Sequence, residues 1–291
     1  MPIFERRPRE TGELSISPEG RWAVIRLPDG SASLWDLENA SKSCELASSK
    51  HEIPAIAMTA EGRILGIKTE RRNSYAVDLA SGTIVSGLSE ETRLNHSSAF
   101  NAGGTRIIGS SMGYGDEPLG VWDAATGASL LSRNEYPSAV ALSSCGRYGV
   151  GSRHPDLIRV WDLEKCEPRD LRGHAKAVTS LAITGRGEWL ASGSVDQTVR
   201  LWHRLRWDEV EVFAGHEATV TSVAVTPGGR LVVSASRDRT LRLWLRGQAA
   251  PLAVFEAAEP LVQCGISADG HSLVTRDASG QIYFPRWEAP G

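Results

Sequence analysis

At 291 residues, with 41% apolar, 23% charged and 7% aromatic residues, the chain can bury a sizeable core and has neither a disordered nor a coiled-coil composition. Its formal net charge of −3 gives no general attraction to phosphate backbones, so nucleic acid is disfavoured as a partner and only a local basic patch stays open. The opening "MPIFERRPRE" has no apolar core for a signal peptide, and no window approaches the ~20 apolar residues of a bilayer span. The expectation is therefore a cytoplasmic protein with no membrane partner. Cys44, Cys145, Cys166 and Cys264 are far apart with no C-x-x-C spacing, which indicates reduced thiols and neither a zinc site nor a disulfide framework.

Taken along the chain, Gly20, Gly62, Gly104, Gly146, Gly187, Gly229 and Gly270 follow one another at intervals of 42, 42, 42, 41, 42 and 41. Each ends a turn such as "SPEG", "TAEG", "NAGG", "TPGG" or "SADG". Apolar β-formers flank every one, from "LSISPEGRWAVI" to "QCGISADGHSLVT", which predicts a tight antiparallel hairpin opening each repeat. A third strand follows, ending in turn at Trp35-Asp36, Val77-Asp78, Trp122-Asp123, Trp161-Asp162, Trp202-His203, Trp244-Leu245 and Tyr283-Phe284. In six of the seven repeats a fourth apolar run comes next, for example "GTIVSGL" and "EVEVFAG". Four strands in 40–45 residues is the arithmetic of a β-propeller blade. The fold class is all-β, a single domain over residues 1–291.

Two repeats carry a sharper pattern. "RGHAKAVTSLAITGRGEWLASGSVDQTVRLW" and "AGHEATVTSVAVTPGGRLVVSASRDRTLRLW" place His174, Ser192, Asp196 and Trp202 against His216, Ser234, Asp238 and Trp244, every offset being 42. Ser, His and Asp together suggest nucleophilic catalysis. The donor inventory favours another role: an indole N–H only donates, a hydroxyl accepts and donates, and a neutral imidazole accepts on one nitrogen and donates from the other to a carboxylate. Trp→Ser→His→Asp is thus a relay in which each buried polar group is satisfied. Elsewhere the pattern decays: Ile25 and Leu273 stand at the Ser position of the first and last repeats, Pro155 at the Asp position of the fourth, and Val77 at the Trp position of the second. No histidine pair has metal spacing and no phosphate-binding glycine loop occurs, so catalytic residues, metal and cofactor are all expected to be none, and no small-molecule substrate is evident.

On these residues the chain resembles the WD-repeat seven-bladed β-propellers over essentially its whole length. The resemblance implies that the four residues act as structural staples. It also implies that another protein docks on the face formed by the blade-to-blade loops and the Asp-bearing turns. On that face the sequence offers Arg71, Arg72, Tyr114, Arg153, Lys176, Arg237 and Arg239 as candidate partner-binding residues. The closing segment "DASGQIYFPRWE" is similar to the last blade of propellers appended to bacterial signalling NTPases and effectors, with Pro285 and Trp287 where Leu is usual. The function expected is non-enzymatic recognition or scaffolding, as an adaptor or sensor subunit, with a bacterial signalling or defence assembly as one setting. A phosphate or nucleic-acid reader using the Arg-rich loops is the alternative, and an enzyme with a central-channel site is a third possibility. Because "GQIYFPRWEAPG" stops before a fourth strand, residues 1–9 around Pro2-Ile3-Phe4 are expected to supply the outer strand of blade seven and close a complete ring.

Overall fold

The computed structural model describes residues 14–287 except 17–20, 27–31, 38, 40, 47–51, 60–61, 71–72, 89–93, 102, 112–118, 134, 136, 154–155, 166, 206 and 286. These form seven antiparallel sheets, with no helix among them. Blade one is β1 (Leu14–Ile16), β2 (Trp22–Arg26), β3 (Ala32–Asp36) and β4 (Ser41–Leu46). Blade two is β5 (Glu52–Met58), β6 (Ile64–Glu70), β7 (Asn73–Asp78) and β8 (Thr83–Gly87). Blade three is β9 (Leu94–Phe100), β10 (Arg106–Ser111), β11 (Leu119–Asp123) and β12 (Ser129–Arg133). Blade four is β13 (Val140–Leu142), β14 (Tyr148–Arg153), β15 (Leu157–Asp162) and β16 (Glu167–Leu171). Blade five is β17 (Val178–Ile183), β18 (Trp189–Ser194), β19 (Val199–His203) and β20 (Asp208–Phe213). Blade six is β21 (Val220–Val225), β22 (Leu231–Ser236), β23 (Thr240–Leu245) and β24 (Ala253–Glu256). Blade seven has three strands among the described residues, β25 (Leu261–Ile266), β26 (Leu273–Asp277) and β27 (Ile282–Tyr283).

Every blade meanders in chain order, so its connections alternate between two ends. The glycine hairpins and the third-to-fourth-strand turns share one face of the ring, here the lower. The second-to-third-strand turns and the blade-to-blade loops share the other, the upper. On the lower face the described hairpin glycines, Gly62 to Gly270, take positive φ, as at Gly187 (φ 71), a conformation nearly closed to residues with a Cβ. The Gly187 amide donates to the Thr184 carbonyl at 2.8 Å, and the Thr184 hydroxyl accepts the Trp189 amide at 3.0 Å. The same two bonds recur one repeat on at Thr226, Gly229 and Leu231.

The ring is held from blade to blade by the first strands. In "VTS" of β17 and β21, Thr221 donates to the Leu261 carbonyl at 2.8 Å and Thr179 to the Val220 carbonyl, while Ser180 and Ser222 accept the amides of Val223 and Cys264 at 3.1 and 3.2 Å. Between blades the sheets bury apolar faces, with Trp35, Trp161, Trp202 and Trp244 among the largest fully buried side chains. The ring closes where blade one meets blade seven: Ala23, Ile25 and Trp35 pack with Val274, Ile282 and Phe284, and the Trp35 and Phe284 rings lie 5.9 Å apart. Residues 1–9, expected to form the outer strand of blade seven, lie outside the described residues.

One expected equivalence is corrected. Tyr283 and Leu273 were aligned with the Trp and Ser of the relay, but pairing puts Leu261 opposite Asp277 where blade six has Val220 opposite Ser236. Asp277 therefore stands at the place of Ser236, Thr275 at that of Ser234, and Pro285 at that of Trp244. The positive-φ residue of the turn agrees, being Arg239 in blade six and Gly280 in blade seven. An Asp six residues before an aromatic mimics the relay spacing two positions out of phase.

Candidate functional site

The relay residues of blades five and six come together on the upper side of the ring. The Trp202 indole N–H donates to Ser192 Oγ at 2.9 Å, Ser192 Oγ lies 2.8 Å from His174 Nε2, and His174 Nδ1 lies 2.8 Å from Asp196 Oδ2. In blade six the same three distances, Trp244 to Ser234 to His216 to Asp238, are 2.8, 2.7 and 2.7 Å. The network assigns the proton on Nδ1 to the carboxylate and leaves Nε2 to accept from serine. Both serines are 0% exposed, so no substrate carbonyl can reach them, and each hydroxyl is already engaged on both sides. Nucleophilic chemistry needs the reverse arrangement.

The carboxylates do more than end the relay. Asp238 also accepts the Glu217 amide, the Thr240 amide and the Thr240 hydroxyl at 3.0, 2.9 and 2.7 Å. Asp196 repeats this with Ala175 and Thr198. Each Asp therefore ties a blade-to-blade loop to a second-to-third-strand turn and fixes the upper surface. Burial pushes Asp238 up, but the bonds from Thr240, His216 and Glu217 outweigh it and hold the carboxyl at about 2. Asp196 is likewise held at about 2 against burial by Thr198, Ala175 and His174. Burial lowers His216 despite Asp238, which keeps the imidazole neutral.

Of the candidate partner-binding residues, Arg153, Lys176, Arg237 and Arg239 are exposed, and the topology puts all four on the upper face. Arg71, Arg72 and Tyr114 lie outside the described residues. Arg239 stands out because its φ is +68, matched one repeat earlier by Gln197 at +72. A non-glycine residue there costs roughly 1 kcal/mol. It places an exposed cation on the turn that Asp238 anchors. Among the described residues no group of three His, Cys, Asp or Glu could hold a metal, and no helix is long and apolar enough to cross a membrane.

Sequence reasoning missed two features. Blade one lacks the relay serine, yet the Trp35 indole donates to Ser33 Oγ at 2.8 Å. Ser33 is the cross-strand neighbour of Ile25, so the acceptor has moved one strand over, and only the pairing register could have shown it. Blade four has Gly151 at the serine position, and Trp161 Nε1 is buried without an acceptor.

Seven four-to-three-stranded blades in a ring, with the Trp-Ser-His-Asp relay repeated in two of them, define a repeat β-propeller. Residues 165–203 and 207–244 match the WD domain, G-beta repeat, and the chain is a seven-bladed propeller carrying WD40 repeats. It is similar to the U3 small nucleolar RNA-associated protein 15 homologs of Xenopus tropicalis and Xenopus laevis, each 21% identical over 210 residues, or 67% of this chain and 38% of the relative. It is also similar to ribosome biogenesis protein BOP1 of Rattus norvegicus, 45% identical over 51 residues, 16% of this chain and 7% of that protein. The matches thus span well under half the length of these relatives. They correct the expected cytoplasmic location, because their names point to the nucleolus and to ribosome biogenesis. An opening stretch with no apolar run does not distinguish cytosol from nucleus, which is where the expectation failed.

Proposed function

We propose that this propeller is a non-enzymatic recognition or scaffold module, one domain over residues 1–291, that holds another protein on its upper face. The observation that carries the reading is Arg239: exposed, at φ +68, on a turn bolted down by Asp238. Gln197 and Gly280 take positive φ at the same place, so the conformation belongs to the repeat and the exposed cation placed on it is what sets this turn apart. Arg237 shares that turn, Lys176 lies on the loop leading into blade five and Arg153 ends β14 in blade four, so an acidic surface would be steered onto blades four to six. The relatives' origin in animals lends no support to a bacterial signalling assembly as the setting, and the adaptor role does not depend on one.

The test is Arg239→Gly. Glycine relieves the backbone, so the variant should melt at or above the wild-type temperature and capture less partner from native extract. Unchanged capture would count against the upper face as the docking surface.

A second reading, recognition of phosphate within a ribonucleoprotein, draws on the same arginines and on relatives named for a small nucleolar RNA and ribosome biogenesis. Salt separates the two: phosphate contacts by several arginines make affinity fall steeply and log-linearly with ionic strength, whereas an interface anchored by apolar contacts shows a shallow slope.

A further inference from the structure

A groove of about 650 Å³ opens on the lower face between blades four and five. Tyr148, Val160 and Trp207 form part of its lining, with the outer strand β16 and the turn between β19 and β20 at its borders. That turn is unusual. The Trp207 amide donates to the His203 carbonyl at 2.9 Å, as Gly82 does to Asp78 and Gly127 to Asp123 in the same turn of blades two and three. Those glycines have φ of 72 and 73, and Trp207 adopts 54. The bulkiest residue thus occupies a position where glycine is the default, and its ring meets the Tyr148 ring edge-on at 6.1 Å. Beside it Leu205 is 81% exposed, the most exposed of the large apolar residues described.

The charges in the groove are unbalanced once pairs are removed. Arg147 is engaged by Asp162 and Glu164, and Asp170 by Arg159. Lys165, Arg169 and Arg204 remain against Glu167, with no ion pair to a described carboxylate. Arg204 lies over the Tyr148 ring at 5.6 Å; its Nη1 reaches the Tyr148 hydroxyl only at 3.4 Å, and its Nε has no acceptor. In the neighbouring blade Arg246 stacks on Trp189 more closely, at 4.4 Å. A guanidinium resting over a ring with its Nη1 only weakly engaged is arranged to take a carboxylate.

We infer that this groove is a second docking site, distinct from the upper face, which takes an acidic peptide segment of a partner protein with an apolar side chain set beside Leu205 and Trp207. Lys165, Arg169 and Arg204, interrupted by Glu167, suit carboxylates spaced along a peptide better than the unbroken charge of a phosphate backbone. Strain at Trp207 is what a binding turn would keep.

The test is fluorescence anisotropy on the full chain with three labelled probes: a peptide of alternating Glu and Leu, its Lys-Leu counterpart, and a single-stranded polyuridylate. The Glu-Leu peptide should bind most tightly, and Arg169→Glu with Arg204→Glu should weaken it by about tenfold or more. Leu205→Asp, at a side chain too exposed to disturb folding, should weaken it with the melting temperature unchanged. Arg237→Glu with Arg239→Glu should leave it unchanged, which keeps this outcome separate from that of the upper face. Tighter binding of the Lys-Leu peptide or the RNA, no binding by the wild type, or loss of binding only in the upper-face variant would each overturn the assignment.

Discussion

The Tyr283 hydroxyl donates to Asp277 Oδ2 at 2.7 Å, joining the second and third strands of blade seven. Asp277 also accepts the Ser279 amide and hydroxyl and the Gln281 amide, at 2.9, 2.7 and 2.9 Å. It is 1% exposed, and burial raises its carboxyl while the Ser279 and Tyr283 bonds bring it below the usual range. A blade without the histidine relay thus secures its turn through Asp277, to which an aromatic residue adds one bond. Tyr283→Phe keeps the packing and removes that donor, so it should cost about 2 kcal/mol, the worth of a hydrogen bond to a buried charge. Urea unfolding measures it, and the loss should vanish at a pH low enough to protonate Asp277.

Trp161 and Trp202 give a matched pair. Both are buried at 2% exposure, but only the Trp202 indole has its serine. Trp202→Phe strands Ser192 and shortens the relay, whereas Trp161→Phe removes an unsatisfied donor. The first should be more destabilising than the second by about 1 kcal/mol, read from urea midpoints. Gly151→Ser should not repair blade four. A Cβ at Gly151 would lie 3.0 Å from the Trp161 ring and 3.3 Å from Pro137, so the hydroxyl would be gained by crowding the indole it was meant to serve.

Stability should fall in acid in two stages. His216 is held below its ordinary value of 6.5 by burial, so the unfolded chain takes up this proton first, and stability declines as pH drops below about 6.5. Asp196 and Asp238 sit at about 2 in the fold against 3.8 ordinarily. Their contribution is complete above about 4 and is lost as pH falls from there through about 2, at about 2 kcal/mol for each carboxyl. In Asp238→Asn the second stage should shrink by about half. Melting temperature against pH checks both stages.

How much of this was legible in the sequence depended on whether a feature kept its spacing. The hairpin glycines and the two full relays repeat at fixed offsets because each blade must present the same face to its neighbour, so periodicity exposed them. Ser33 escaped because it serves Trp35 from the same strand, two residues away instead of ten. Tyr283 was misplaced because Asp277 reproduces the Asp-to-aromatic interval of the relay, while the true register is set by the positive φ of Gly280. The groove between blades four and five was invisible, since Tyr148, Arg169 and Arg204 belong to different strands. Trp207 gave no signal that it had taken a glycine's place.

The central claim, that the relay builds a rigid upper face and the cations on it bind, is tested most directly by one comparison. Arg237→Glu with Arg239→Glu, and separately Asp238→Ala, are scored for partner capture at a fixed temperature and for melting temperature. The charge reversal should abolish capture and leave melting unchanged. Asp238→Ala, which strands His216 and releases the Thr240 turn, should lower melting by several degrees, and capture should survive well below that new midpoint. The reverse assignment, with melting lowered by the charge reversal and capture lost through Asp238→Ala in a chain of undiminished stability, would contradict the account.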